Sequence, residues 1–262
     1  MSRSSEKLVY ILTRLFTLLR PKFRIIVDRE RRLGNFETTT VGYRTDLIKE
    51  EVSRRYVFAH PGENLNFLDV GARDGELSYL LGMQKNLVFD KSFYDSNMAA
   101  FRAKYNYYGM DLHPASDERV LSGDACAPDY VDSHPAFRSK FDVIYSNNVF
   151  EHFERPWIAI ANLNQLLKPG GIVITIVPFS LRYHESPGDY FRYTHKGLES
   201  LFTSVGRFEV LESGYDICGR RNDWQGAGLE NDIVPIDNFG AWRETWFAVC
   251  VVRKLADSTS AI

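Results

Sequence analysis

From Leu65 onward the apolar positions gather in short continuous runs, at 66–70, 107–112, 118–123, 141–146 and 172–178. Runs of this kind read as strands covered on both faces. Helical spacing appears between or after them, at 76–83, 156–167 and 195–203. The alternation predicts a doubly wound α/β fold, a mostly parallel sheet with helices on both faces. Two later candidate strands, 208–215 and 245–253, have no helix-length apolar pattern between them. They read as an antiparallel pair at one edge, which brings the sheet to seven strands.

The N-terminal pattern is of another kind. Leu8 to Leu19 is apolar except for Thr13, Arg14 and Thr17, and Pro21 ends it. Twelve residues are too few to span a bilayer, and no small-residue cleavage site follows, so no signal peptide is expected. Leu8, Ile11, Leu12, Leu15, Leu18 and Leu19 recur at helical spacing among Lys7, Arg14, Arg20, Lys22 and Arg24. Residues 1–33 hold nine Lys/Arg against three Asp/Glu, a local +6, which leaves −8 for the rest of a chain of net charge −2. Two readings stand for residues 7–24: a helix packed on the domain or at a dimer interface, which is preferred, and peripheral contact with an anionic membrane surface.

Composition narrows the picture further. With 262 residues, 44% hydrophobic and 25% charged, the chain can bury a sizeable core in one α/β domain. Residues 1–45 are expected to form a basic helical extension, 46–255 the domain and 256–262 a frayed tail. The small net charge gives no case for a nucleic-acid partner. Cys126, Cys218 and Cys250 are widely spaced and odd in number, which points to a reducing, cytoplasmic setting without a disulfide framework or zinc cluster.

Candidate chemistry begins where the strand 66–70 runs into a turn bracketed by Gly71 and Gly75, ahead of the helical pattern. Glycine lets the backbone approach a ligand, and the helix start offers free N–H groups. The spacing Gly-x-x-x-Gly departs from the G-x-G-x-x-G dinucleotide fingerprint, which disfavours a nicotinamide-dependent oxidoreductase.

The ordered segments Leu-Asp-Val-Gly-Ala-Arg-Asp-Gly (68–75), Tyr-Gly-Met-Asp-Leu (108–112), Gly-Asp-Ala (123–125), Phe-Asp-Val-Ile-Tyr-Ser (141–146) and Leu-Lys-Pro-Gly-Gly (167–171) resemble the class I S-adenosylmethionine-dependent methyltransferases, whose fold is Rossmann-like. Glu151-His152, Val177-Pro178-Phe179, His184 and Pro187-Gly-Asp-Tyr-Phe-Arg-Tyr-Thr194 are similar to a bacterial small-molecule branch, methyltransferase type 11-like, often associated with cell-surface saccharides or secondary metabolites. The resemblance covers roughly residues 65–205.

It implies S-adenosyl-L-methionine beyond the strand ends, at the switch point in strand order. The turn of Gly71, Ala72, Arg73 and Gly75 would lie under the methionine moiety, with Asp69 near its ammonium. Asp111, with Leu112 beside it, would bind the ribose hydroxyls. Asp124 would take the adenine amino group, with the Ala125 or Cys126 amide near a ring nitrogen. Ser146 and Asn147 would edge the sulfonium and the acceptor. The ordinary alternative for each acid is capping of a following turn or helix. Asp111 follows Gly71 by forty residues, against about twenty in the dinucleotide pattern. Asp90 has the shorter spacing but leaves one strand too many, so 84–106 reads as an insertion containing a helix over 95–105.

For the chemistry, the resemblance implies methyl transfer, expected to oxygen of a small or saccharide-type acceptor. A hydroxyl acceptor is helped by a general base, and histidine suits neutral pH. His184 and His152 are the candidates, with Asp189 orienting a histidine and Tyr190, Arg192 and Tyr193 holding the acceptor. The alternatives are a polar cap for Glu151-His152 and packing for the tyrosines. Some methyltransferases acting on RNA ends or catechol-like rings ligate a divalent ion with Glu-x-x-Glu-His after strand four. Asn148 replaces the first carboxylate here, so no metal is expected, a Glu151/His152/His184 site being the alternative. Residues 216–244, with Arg220, Arg221, Trp224, Trp242 and Arg243, read as a substrate loop, lid or dimer contact. Two further readings are a lipid-linked acceptor reached through residues 7–24, and a binding protein that has lost the chemistry.

Overall fold

The structure is a computed structural model and describes residues 49–72, 99–181, 183–185, 187–219 and 245–256. The chain divides into two units, 45–216 with 247–262, and 1–44 with 217–246. Of the second unit only 217–219 and 245–246 are described. The basic helix expected over 7–24, the helix expected at 76–83 and most of the loop 216–244 therefore lie outside the described residues. Among those residues, no helix is long and apolar enough to cross a membrane.

Seven strands form one sheet in the order β3-β2-β1-β4-β5-β7-β6. They are β1 (Leu65–Val70), β2 (Tyr105–Asp111), β3 (Val120–Ser122), β4 (Phe141–Asn147), β5 (Leu167–Ser180), β6 (Phe208–Gly219) and β7 (Thr245–Lys254). Strands β1 to β5 pair in parallel throughout, and the antiparallel strands lie toward the β6 side. This is the doubly wound, mostly parallel arrangement expected from the apolar runs and the Rossmann-like fold that the resemblance implies. Phe67 to Val70 and Val143 to Ser146 are buried without a break, as a sheet covered on both faces requires.

Four α-helices are described, and the last three follow the expected pattern. The chain is helical over α1 (Lys49–Ser53) and α2 (99–104). Helix α3 (Pro156–Leu166) opens on Pro156, whose fixed φ and missing N–H suit a first turn, and buries Ala159, Ile160, Leu163 and Leu166. Helix α4 (His195–Val205) is capped by the Thr194 hydroxyl, which accepts from Gly197 N–H at 2.9 Å, and buries Leu198 and Phe202.

Among the boundaries that differ from the sequence reading, two have a visible cause. β2 begins at Tyr105, placed by the pattern in a helix of the insertion. Tyr105 packs at 4.9 Å centroid distance on Phe101 and donates its hydroxyl to Val57 O at 2.6 Å, so tertiary contacts decide its state. β5 begins at Leu167 rather than 172. Leu167 pairs with Phe141 and Ile172 with Val143, so Lys168 to Gly171 bulge from a continuing strand. Pro169 lacks a ladder donor, Gly170 takes φ +79, and Lys168 Nζ reaches both Asp142 oxygens at 2.8 Å.

Candidate functional site

Strand β1 lies between β2 and β4, so the winding reverses beside it and the strand tips diverge there. Register aligns those tips: Val70 with Met110 on one side and with Ser146 on the other, and Asp111 with Ser122. Beyond them lies a cavity of about 280 Å³. Gly71, Asp111, Leu112, Asp124 and Ala125 line it from the β1–β3 side, and Asn148, Val149, His152 and Phe153 from the segment after β4.

Backbone geometry explains the shape of this hollow. Gly71 takes φ +78, and a Cβ there would stand 2.4 Å from Val149 Cγ2. Its N–H and that of Ala72 both donate to Met110 O, at 2.8 and 3.1 Å, which folds the turn over the end of β2. Gly123, at φ +125, donates to Asp111 O at 2.9 Å and ties the β3 turn to the same place. Asn162 of α3 donates its amide to Ala125 O and Ala127 O, at 2.9 and 2.8 Å, fixing the chain after Asp124.

Asp111 and Asp124 are brought to one cavity, as expected. Each also does local work: Asp111 Oδ1 accepts from His113 N–H at 3.0 Å and Asp124 Oδ1 from Cys126 N–H at 2.8 Å. Asp69 does not join them on the lining. Its side chain is buried on the opposite face of β1, where it accepts from the Tyr107 hydroxyl at 3.0 Å. Burial pushes its carboxyl up to about 7, and the Tyr107 hydrogen bond only partly opposes this. The alternation of β1 accounts for the separation, since Val70 takes the cavity side. Ser146 and Ala72 are buried, and Asn147 is half-buried; none lines the cavity. Arg73, Gly75 and Asp90 lie outside the described residues.

A second group sits at the rim after β4. Glu151 is buried, and no other described residue donates a hydrogen bond to either carboxylate oxygen. Burial pushes its carboxyl up to about 7; its own backbone N–H and then the Arg192 charge act against this, and Asp189 acts with it. His152 Nε2 and His184 Nε2 face the same Glu151 oxygen, at 3.7 and 4.0 Å. The rings meet edge to face with centroids 5.1 Å apart. His152 Nδ1 contacts the Gly188 carbonyl. Asp189 Oδ2 accepts from His184 N–H at 2.7 Å and lies 3.5 Å from its Nδ1. Asp189 also takes the Arg192 guanidinium on both oxygens. Burial alone would raise the Asp189 carboxyl, but those donors hold it below its ordinary value.

The segment 187–194 is held down by its backbone. Tyr190 N–H donates to Glu151 O at 2.8 Å and Tyr193 N–H to Pro178 O at 3.1 Å. Tyr193 is buried with its hydroxyl on Phe150 O at 3.1 Å, so it packs rather than facing the acceptor side. Tyr190 is exposed. Arg192 pairs with Asp189, which makes it a support for that carboxylate. Asn148 and Val149 line the cavity without being marked as lining residues by the sequence. Asn148 takes φ +56, its Oδ1 has no hydrogen-bond partner among the described residues, and it reaches the cavity. Asparagine is one of the few residues that enters this conformation readily, but a single Asn after a strand does not announce it.

Residues 42–206 match the methyltransferase-domain family, so the chain belongs to it. Among solved structures, a Bacillus halodurans protein assigned as a methyltransferase superposes with a TM-score of 0.50 at 12% identity, covering 79% of this chain and 100% of that one. The Burkholderia thailandensis 1,6-didemethyltoxoflavin-N1-methyltransferase, solved with S-adenosylhomocysteine, gives 0.47 at 17%, covering 93% and 90%. A Methanosarcina mazei SAM-dependent methyltransferase gives 0.46 at 15%, covering 81% and 100%. No curated protein matches the chain. The protein is an S-adenosyl-L-methionine-dependent methyltransferase. Its cavity suits that cofactor: Gly71 keeps open a close approach that a Cβ would fill, and carboxylates of Asp111 and Asp124 stand on one side.

Proposed function

We propose that this enzyme methylates an oxygen of a small or saccharide-type acceptor, which enters beside His152 and His184. S-adenosyl-L-methionine, when bound, supplies an electrophilic methyl group. The protein's work is then to align the acceptor, exclude water and draw the proton from its hydroxyl. Asp111 and Asp124 hold the ribose and adenine, and Gly71 gives the methionine portion room. Asp189 fixes His184, and Arg192 fixes Asp189.

The observation that carries this reading is His152, which lines the cofactor cavity and stands edge to face with His184. A hydroxyl placed there meets imidazoles that can draw off its proton, whereas a neutral amine attacks through its own lone pair without first losing one. The test is a panel of sugars, phenols and amines with isotopically labelled methyl donor and product NMR. A methyl ether is expected; transfer only to nitrogen or carbon across the panel excludes the reading.

A further inference from the structure

We propose that Glu151, His152 and His184 form a binding site for one divalent cation of the borderline first-row type, such as zinc, at the rim where the acceptor enters. The inference rests on the reading of that rim as the acceptor's place and deepens it.

Three potential ligand atoms, one from each side chain, lie within 4.8 Å of one another. Two ligands each about 2.1 Å from one ion stand at most about 4.2 Å apart. The two contacts to Glu151, at 3.7 and 4.0 Å, already meet that limit, and a small ring rotation brings the imidazoles into it. Direction agrees with distance. A carbonyl oxygen cannot donate, so the Gly188 contact puts the His152 proton on Nδ1 and turns the Nε2 lone pair toward Glu151. The Asp189 carboxylate beside Nδ1 selects the same tautomer in His184. Imidazoles backed by a carbonyl or a carboxylate on the far nitrogen are the usual surroundings of metal-bound histidines.

The carboxylate is the independent sign. Glu151 is fully buried, no other described residue donates a hydrogen bond to either of its oxygens, and the segment 187–194 holds it in place through the Tyr190 N–H bond to its carbonyl. A buried carboxylate without a donor is costly, and a cation between it and two imidazoles compensates it. Two nitrogens and one carboxylate oxygen favour zinc, cobalt, manganese or iron(II) over calcium or magnesium, and leave coordination positions open. An acceptor oxygen taking one of these positions becomes more acidic. With the ion bound the imidazoles are ligands, and the ion takes over from them the work of making the hydroxyl acidic: its proton passes to solvent, its oxygen forms the O–CH3 bond as the S–CH3 bond breaks, and S-adenosylhomocysteine leaves.

The test uses untagged, metal-stripped full-length protein titrated with Co²⁺ and Zn²⁺, read by visible absorption and calorimetry. S-adenosylhomocysteine binding is measured on every variant. One ion per chain is expected, with affinity at least 100-fold lower in Glu151→Gln and His184→Ala. Asp189→Asn should lose 10- to 100-fold, as outer partners of metal ligands do. Unchanged S-adenosylhomocysteine affinity shows that these variants are folded. No uptake by the wild type at millimolar ion, or wild-type affinity in His184→Ala, overturns the site. Methyl transfer that is equally fast with and without the ion overturns its part in acceptor activation. Loss of S-adenosylhomocysteine binding by the wild type is a separate result, against the cofactor cavity itself.

Discussion

Gly71 and Val149 approach so closely that a Cβ on the glycine would stand 2.4 Å from the valine Cγ2. The contact joins the turn after β1 to the segment after β4, the two walls of the cavity. Gly71→Ala must either push Val149 inward or move the turn, at a φ of +78 that itself costs a non-glycine residue about 1–3 kcal/mol. The variant should bind S-adenosylhomocysteine at least tenfold more weakly by calorimetry. Adding Val149→Ala should recover part of that loss, because it removes the clash and leaves the backbone strain. Wild-type affinity in Gly71→Ala would show that the ligand does not use this turn.

Asp111 serves both the cavity and its own turn, through the bond from His113 N–H. Asp111→Ala removes both roles, while Asp111→Asn keeps an acceptor for the turn and loses the charge. Charge-assisted hydrogen bonds are worth about 1.5–3 kcal/mol, so S-adenosylhomocysteine affinity should fall about 10- to 100-fold in the alanine variant. The asparagine variant should lie between it and the wild type. Wild-type affinity in both variants moves the ribose contact elsewhere, Asp90 being the next candidate.

The parts of this molecule that were legible in its sequence are those fixed by period and by backbone chemistry. Unbroken apolar runs gave strands β1, β4 and β5 because both faces of the sheet are covered, and helical spacing over 195–203 marked α4. The choice of residues 107–112 over Leu87-Val-Phe-Asp90 for the second strand depended on counting strands, and β2 indeed pairs with β1. What could not be read is the face on which a polar side chain falls when both faces are buried. Asp69 and Val70 look alike as members of one run, yet only Val70 reaches the cavity. Arg192 and Asp189 are three apart in an irregular segment, so no periodicity showed that they pair with each other. The convergence of Glu151, His152 and His184 spans more than thirty residues of chain and comes from the parallel tips of β4 and β5.

The Leu-Lys-Pro-Gly-Gly bulge is held by an asymmetric pair. Lys168 is partly exposed, and an exposed ion pair contributes about 0.2–1 kcal/mol. Asp142 also accepts from Asn66 N–H at 2.8 Å, so its loss leaves a backbone donor of β1 unsatisfied, at about 1–3 kcal/mol. Urea unfolding should therefore show Asp142→Ala clearly less stable than Lys168→Met. Equal losses would mean that the pair, rather than the backbone bond, anchors the bulge.

Asp69 makes stability depend on pH in a direction opposite to that of most paired carboxylates. Its folded value is about 7 against an ordinary 3.8, because burial disfavours the anion. Between those values the unfolded chain has released the proton while the folded chain keeps it. The folded state binds more protons, so stability falls as pH rises from about 4 through 7. Three units correspond to at most about 4 kcal/mol. Asp69→Asn removes this dependence and keeps an acceptor for the Tyr107 hydroxyl. The variant should therefore gain stability over the wild type as pH is raised, with little difference at pH 4 and the full gain reached above pH 7. Taking the difference between the two proteins cancels the titration of every other group, Glu151 included. Urea midpoints for both proteins at pH 4, 5.5, 7 and 8.5 measure it, and a difference that does not change with pH means that Asp69 is ionised in the folded protein.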